Sequence, residues 1–473
     1  MKHYYFTACL FISITLTAQK TYIPDRNFEQ ALIDLGYDTV LDKFVLTENI
    51  KSIVNLNISY KGISSLTGIS SFESLEVLIC SNNNISSLNL SSNPALKYLD
   101  CSGSNITSLN LNSNTALETL YCSENNITSL KLSSNPALIN LYCSYNNITS
   151  LDLSSSLSLE SLYCSKNNIT NLNLRSNVAL LRLDCAYNDL TSLDLSSNQA
   201  LKVLICSFNN NLTSLDLKSN PALEGLYCWS NNMLSLNLSS NPVLKYLECP
   251  SNNLTSLDLS SNPYLESLNC VQNNITNLDL SSNPSLKRLY CLRNNITSLN
   301  LGSNSVLIEL HCGFNKITSL DLNSTPFLER LTCSNNELET LNVKNGNNTK
   351  LYTFYVLNNP NLTCIEVDNV TYSSTYWLDK DATASFSTSC SELSITDLDF
   401  DSFQLYPNPV SDVLNINLNK GFELKQVNIY NIQSQYLYST KALKIDTKNL
   451  SSGTYFIEVE TNKGKSAKKI VVE

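Results

Sequence analysis

Sixteen cysteines among 473 residues are the most conspicuous chemical groups in this chain. Thirteen of them, at 80, 101, 122, 143, 164, 185, 206, 228, 249, 270, 291, 312 and 333, recur every 21 residues, apart from one step of 22. Thiols can bind metal, form disulfides or act as nucleophiles. Metal sites need convergent ligands, and these cysteines have no Cys-x-x-Cys spacing and almost no histidine nearby. Bridging neighbours would twist each side chain off an inward path. The even register instead predicts a column of small buried hydrophobes. Other chemistry is sparser still. The chain has two His, and it lacks the HExxH, GxSxG and phosphate-loop patterns. Two carboxylates could hydrolyse a glycoside only in a cleft, which a flat sheet does not offer. No catalytic residue, cofactor or metal ligand is expected, so the chain does not read as an enzyme.

A second group of residues suits binding. Tyr121, Tyr142 and Tyr163 immediately precede Cys in three consecutive repeats, with Tyr227 and Tyr290 further on; Trp229 follows Cys228. Two places earlier stand Tyr98, Tyr246, Arg182, Arg288 and Arg330. A stiff face carrying Tyr, Trp and Arg has the composition of a binding hot spot. The plainer alternative is that Tyr suits an exposed strand and stacks on its neighbour one repeat away. Four places before Cys the charges alternate, as in Glu76, Lys97 and Glu118, then Lys202, Glu224, Lys245, Glu266 and Lys287. Such pairs would pin register for at most about 1 kcal/mol each. Asp152, Asp194, Asp216, Asp258, Asp279 and Asp321 line the opposite half of the repeat as a solvated acidic face, with weak Ca²⁺ binding the lesser alternative.

These residues are positioned by a repeat that reads LxxLxCxxNxIxxLxLxxNPxL, as in Leu120-Tyr-Cys-Ser-Glu-Asn125 and Leu130-Lys-Leu132-Ser-Ser-Asn135-Pro136. A 20–30-residue period on a Leu/Asn framework is the signature of a leucine-rich-repeat solenoid. The two halves, LxCxxNxI and LxLxxNPxL, each alternate with period two and so predict two short strands per coil. The fold class expected is mostly β: parallel strands on two faces, a short N-terminal helical cap and almost no other helix. This pattern resembles the nested bacterial repeats called IRREKO over residues 50–363. Fourteen coils are expected, counting the Cys-less one around Leu56 and Ile58. The backbone entropy of one coil exceeds what its own burial returns, so the coils must stack to be stable. Asn stands three places after Cys in every coil except at Ser104. An amide both donates and accepts, so this column should satisfy the buried backbone of the turns. The extra residue of the 22-residue step falls in the Asn run 209–211, where a turn can absorb it.

Both ends depart from the repeat. Residues 1–19 read as a signal peptide, with Lys2, a short apolar stretch and small residues before a cut near Ala18 or Gln19. Residues 20–49 form the N-terminal cap. There Asp25 can cap a helix bearing Phe28, Ala31, Leu32 and Leu35, and Gly36 can stop it. Residues 364–395 look like the C-terminal cap of such arrays. Cys364 and Cys390 lie outside the register, and a Cys364–Cys390 bridge closing the last coil is the single disulfide expected outside the cell. After a linker at 396–402, residues 403–473 alternate in short segments that predict a small antiparallel β-sandwich. Tyr406-Pro407-Asn408-Pro409, Gly453-Thr-Tyr455 and Lys468-Lys469 resemble the type A sorting domain of the Bacteroidetes type IX secretion route. The resemblance implies a partner in that machinery, crossing of the outer membrane and removal of the domain. The product would be released, or held at the surface on lipopolysaccharide.

Charge narrows the partners. Lys and Arg number 31 against 41 acids, a net of -10, which gives nucleic acid no electrostatic welcome. No transmembrane segment is expected in the mature chain. The reading is a secreted or surface-attached binding protein that recognises an extracellular protein or polysaccharide. The alternative is a passive structural element of the cell surface or matrix.

Overall fold

The structure is a computed structural model that describes residues 18–390, 403–433, 435–462 and 464–473. The expected signal peptide and linker lie almost wholly outside the described residues. The chain divides into two compact units, 1–389 and 390–473.

In the first unit each coil contributes one short strand, such as Thr119–Tyr121, to a parallel sheet of sixteen strands. Register is strict: Leu120 faces Leu99 and Leu141, and Tyr121 faces Tyr142. The central Leu of each strand points inward, so the pattern along a strand is half-exposed, buried, half-exposed. The sheet begins at Asn55–Asn57, as the coil around Leu56 predicted. It runs two strands beyond the fourteen expected, through Thr353–Val356 to Asp379–Lys380. Those strands follow their predecessors by 23 and 24 residues, Arg330 facing Thr353 and Tyr355 facing Asp379, which hides them from a 21-residue count.

The Leu-x-Leu face is less regular than the sequence predicts. Ladders form between Ser108–Asn110 and Ser129–Lys131, and among four strands from Ser319–Asp321 to Ser385–Ser387. Between them a second Asn column joins the coils instead. Asn135 Nδ2 donates to the carbonyls of Leu111 and Asn114 in the preceding coil at 3.1 and 2.7 Å, and Asn177 and Asn241 repeat the pattern.

The expected Asn column after Cys is present. Asn125 Nδ2 donates to the carbonyls of Cys101 and Cys122 at 2.9 and 3.2 Å, and its Oδ1 accepts the Ile106 N–H at 2.9 Å. All thirteen repeat cysteines are free and fully buried, in one continuous core from Ile23 to Ala384. Burial drives the Cys143, Cys206, Cys270 and Cys312 thiols up to about 12. They are wall, not reagent.

At the N-terminus, helix Arg26–Asp34 buries Phe28, Ala31 and Leu32. Asp25 caps it through Oδ1, and its Oδ2 accepts from Ser64 and Ser65, tying the cap to the first coil. Leu35, expected on the apolar stripe, is exposed at the helix end. At the other end Trp377 stacks on Phe354 at 4.4 Å, and Cys364 and Cys390 are both disulfide-bonded.

The second unit comprises two antiparallel sheets over an apolar core that includes Phe403, Leu414, Ile429, Ile457 and Ile470. Asn408 holds the final strand, donating to the Lys469 carbonyl at 3.0 Å and accepting from Val471 N–H at 2.8 Å. Lys468 Nζ reaches the Phe403 carbonyl at 2.7 Å, and the Tyr455 hydroxyl donates to Ser451 at 2.8 Å. Tyr406, Pro407, Pro409, Gly453 and Lys469 are exposed.

Candidate functional site

The outer surface of the sixteen-stranded sheet carries every recognition residue singled out from the sequence. Because side chains alternate along a strand, a buried central Leu forces both flanking residues outward. The candidates fall into three groups.

The first is a run of rings. Tyr98 tilts against Tyr121 with centroids 5.6 Å apart, Tyr121 stacks on Tyr142 at 4.3 Å, and Tyr142 stacks on Tyr163 at 4.7 Å. The latter two stacks lie within 6° and 9° of parallel. The ring planes face along the coil axis, so the run offers ring edges and hydroxyls outward. Arg182 is exposed on the next coil. The second group is Tyr227, Trp229 and Tyr246, on the adjacent strands Gly225–Tyr227 and Tyr246–Glu248 and just beyond.

The third group is locked internally. The Tyr290 hydroxyl and the Arg330 guanidinium both donate to the half-buried carboxylate of Glu309. His311 stacks on Tyr290 at 4.9 Å, and its Nδ1 lies 2.8 Å from the Thr332 hydroxyl. Burial holds the His311 pKa below its usual value, while burial and Glu309 raise Tyr290 to about 12. Arg288 is half-buried beside this group. Tyr290 and Arg330 are thus committed to Glu309, a convergence that spacing alone does not reveal.

The flanking columns are structural. Lys97 pairs with Glu76, Lys245 with Glu224 and Lys287 with Glu266, at 2.8–2.9 Å. Each Asp of the acidic column accepts from the backbone N–H two residues on, as Asp258 does from Ser260 at 3.0 Å. Among the described residues no group of three or more His, Cys, Asp or Glu could hold a metal ion.

One exposed column escaped the sequence reading. The residue two places after each Cys takes left-handed backbone, from Asn82 at φ 55° to Asn335 at φ 60°. Such backbone normally costs non-Gly residues about 1–2 kcal/mol. Several are nevertheless large: Tyr145, Tyr187, Phe208 and Phe314. Lys166 lies over the Tyr145 ring at 4.2 Å, and Tyr187 stacks on Phe208 at 4.2 Å. Their constant offset from Cys was the signal available.

Short parallel strands, one per coil, with Leu inside and Asn bracing the turns, define a leucine-rich-repeat protein. The chain is one of these, and its residues 404–473 match the secretion system C-terminal sorting domain family. A search of curated protein sequences returns no match. Among solved structures, the functional domain of InlJ from Listeria monocytogenes, which includes a cysteine ladder, is similar at 26% identity and a TM-score of 0.69. It covers 97% of this chain and 100% of its own. A leucine-rich-repeat protein of Leptospira interrogans shares the fold at 21% identity and TM-score 0.57, over 72% of this chain and 93% of its own. The internalin inlF of Listeria monocytogenes does so at 21% and 0.50, over 79% and 99%. No helix among the described residues is long and apolar enough to cross a membrane.

Proposed function

We propose that the protein is a binding protein, exported by the type IX route to the cell surface or the medium, that recognises an extracellular protein through the outer face of its sixteen-stranded sheet. The observation that carries this reading is the Tyr121–Tyr142–Tyr163 stack, a rigid aromatic strip on the outer face of the sheet. Its geometry favours protein over polysaccharide. A sugar ring packs on an open aromatic face, and both faces of Tyr142 are covered by its neighbours. Edges and hydroxyls instead suit the mixed apolar and hydrogen-bonding surface of a protein. The leucine-rich-repeat class of the similar structures supports binding rather than catalysis, and the sorting domain supports surface display after its own removal.

The test uses the exported chain as bait on surface-exposed proteins of the producing cells, with chemical cross-linking and a saturation measurement on any partner retained. Replacing Tyr121, Tyr142 and Tyr163 with Ser should abolish saturable capture. Replacement by Phe, which keeps the stack, should weaken it only. Capture that is unchanged in the Ser variant removes this strip as the site. A passive surface element would retain no saturable partner at all.

A further inference from the structure

Two neighbouring coils depart from the rest of the sheet. Gly225 occupies a position where other coils carry a side chain, and it is buried. Its space is filled by Tyr227, whose ring folds back along its own strand: a Cβ at Gly225 would sit 3.2 Å from Tyr227 Cε2 and 3.8 Å from its hydroxyl. Strand register sets Tyr227 beside Glu248 and Gly225 beside Tyr246. Directly after Cys, where most earlier coils carry Ser, stands Trp229, 39% exposed; Tyr246 is 36% exposed. On the same strand as Tyr246 stands the half-buried Glu248, whose carboxylate accepts the Asn269 amide at 3.0 Å. Burial pushes its pKa above the ordinary range, against the pull of Asn269, Arg288 and the Trp229 side chain. The nearby Lys245 and Lys287 are held by Glu224 and Glu266, and Glu248 has no ion-pair partner among the described residues.

We propose that Tyr227, Trp229, Tyr246 and Glu248 form a receiving site for a cationic side chain, Lys or Arg, of the protein ligand. The inference rests on the protein-binding reading and deepens it. Aromatic rings attract an ammonium or guanidinium group, Trp most strongly, and a partly desolvated carboxylate supplies the countercharge. The net charge of -10 on the chain steers a basic partner toward it. An unpaired, partly buried carboxylate is a cost to folding that a bound cation would offset.

The experiment titrates the full chain with hexa-arginine, hexa-lysine and, as controls, hexa-serine and hexa-glutamate peptides at about 0.15 M salt, a condition that screens diffuse attraction. Binding is read by calorimetry and by tryptophan emission. Trp377 is only 2% exposed, so Trp229 should dominate the emission response. The basic peptides should bind saturably and the controls should not. Glu248→Gln and Trp229→Ala should each weaken binding at least tenfold, and Tyr60→Ser, which removes an exposed ring in the first coil, should leave it unchanged. Glu248→Gln removes a poorly solvated charge, so its unfolding midpoint should not fall. Absence of saturable binding, equal binding by Glu248→Gln, or an equal loss in Glu266→Gln would overturn the site. If the peptides fail while the Tyr-to-Ser triple variant still loses its protein partner, the protein-binding reading stands and this site alone falls.

Discussion

Tyr121 and Tyr142 lie one coil apart with ring centroids 4.3 Å apart and planes 6° from parallel. The separation is slightly less than the usual spacing of paired strands, about 4.8 Å, so the sheet itself sets the stack. The same contact therefore serves stability and surface chemistry, and substitutions can separate the two. Tyr142→Phe should leave the urea unfolding midpoint nearly unchanged. Tyr142→Ser should cost about 1–3 kcal/mol, from two lost ring contacts at about 0.5–1.5 kcal/mol each.

The Asn column predicts a larger effect. Asn146 donates to the carbonyls of Cys122 and Cys143 and accepts from Ile127 N–H at 2.9 Å, all in the buried interior. Asn146→Ala strands several buried groups, each worth about 1–3 kcal/mol. A loss of at least about 3 kcal/mol is expected by chemical denaturation. Ser104 stands in the same column with its buried hydroxyl unpartnered. Ser104→Asn should restore the bonding and raise stability by about 1 kcal/mol; a lower midpoint would count against the column's role.

The cysteine wall should be chemically silent. With thiols as high as about 12 and no exposure, maleimide should label none of the thirteen repeat cysteines in the folded chain. In denaturant without reductant it should label all thirteen. Cys206→Ser should destabilise more than Cys206→Ala, because a hydroxyl there has no partner while a methyl needs none.

Acid should act on the Glu309 group through His311. Burial lowers the His311 pKa below the ordinary imidazole value of about 6.5. The unfolded chain therefore binds more protons than the folded one near pH 6, and stability falls as pH drops through 6.5 toward the folded value. Above 6.5 this contribution is fully present. Glu248 and Asp184 have raised pKa values through burial and act oppositely, losing stability as pH rises through the carboxylate range. The comparison of His311→Asn with the parent should isolate the histidine. The variant should lose the decline in midpoint between pH 7.5 and 5.5, and an identical decline would assign it elsewhere.

Much of this architecture was legible because a solenoid makes each position's environment recur thirteen times. Leu, Cys and Asn columns and the Asp25-capped helix follow from spacing alone. The strands at Thr353–Val356 and Asp379–Lys380 did not, since their steps of 23 and 24 break the period while the sheet's hydrogen bonding continues. The Leu-x-Leu face was over-read, because alternation reports which side chains turn inward but not whether neighbouring backbones come close enough to pair. The candidate site was half visible. Outward positions of Tyr and Arg are fixed by the buried Leu between them. The capture of Tyr290 and Arg330 by Glu309, and the folding of Tyr227 over Gly225, depend on rotamers that one-dimensional periodicity does not encode.

The strict pairing of each coil with only its two neighbours has a further outcome for how such a gene changes. Deleting or duplicating one 21-residue module in mid-array would leave matching joints on either side. The Tyr121–Tyr163 strip and the Trp229–Glu248 cluster would then be carried nearer or farther apart by one strand spacing, about 4.8 Å. The molecule is in this sense an adjustable gauge, on which recombination can tune the gap between two contact points without redesigning either.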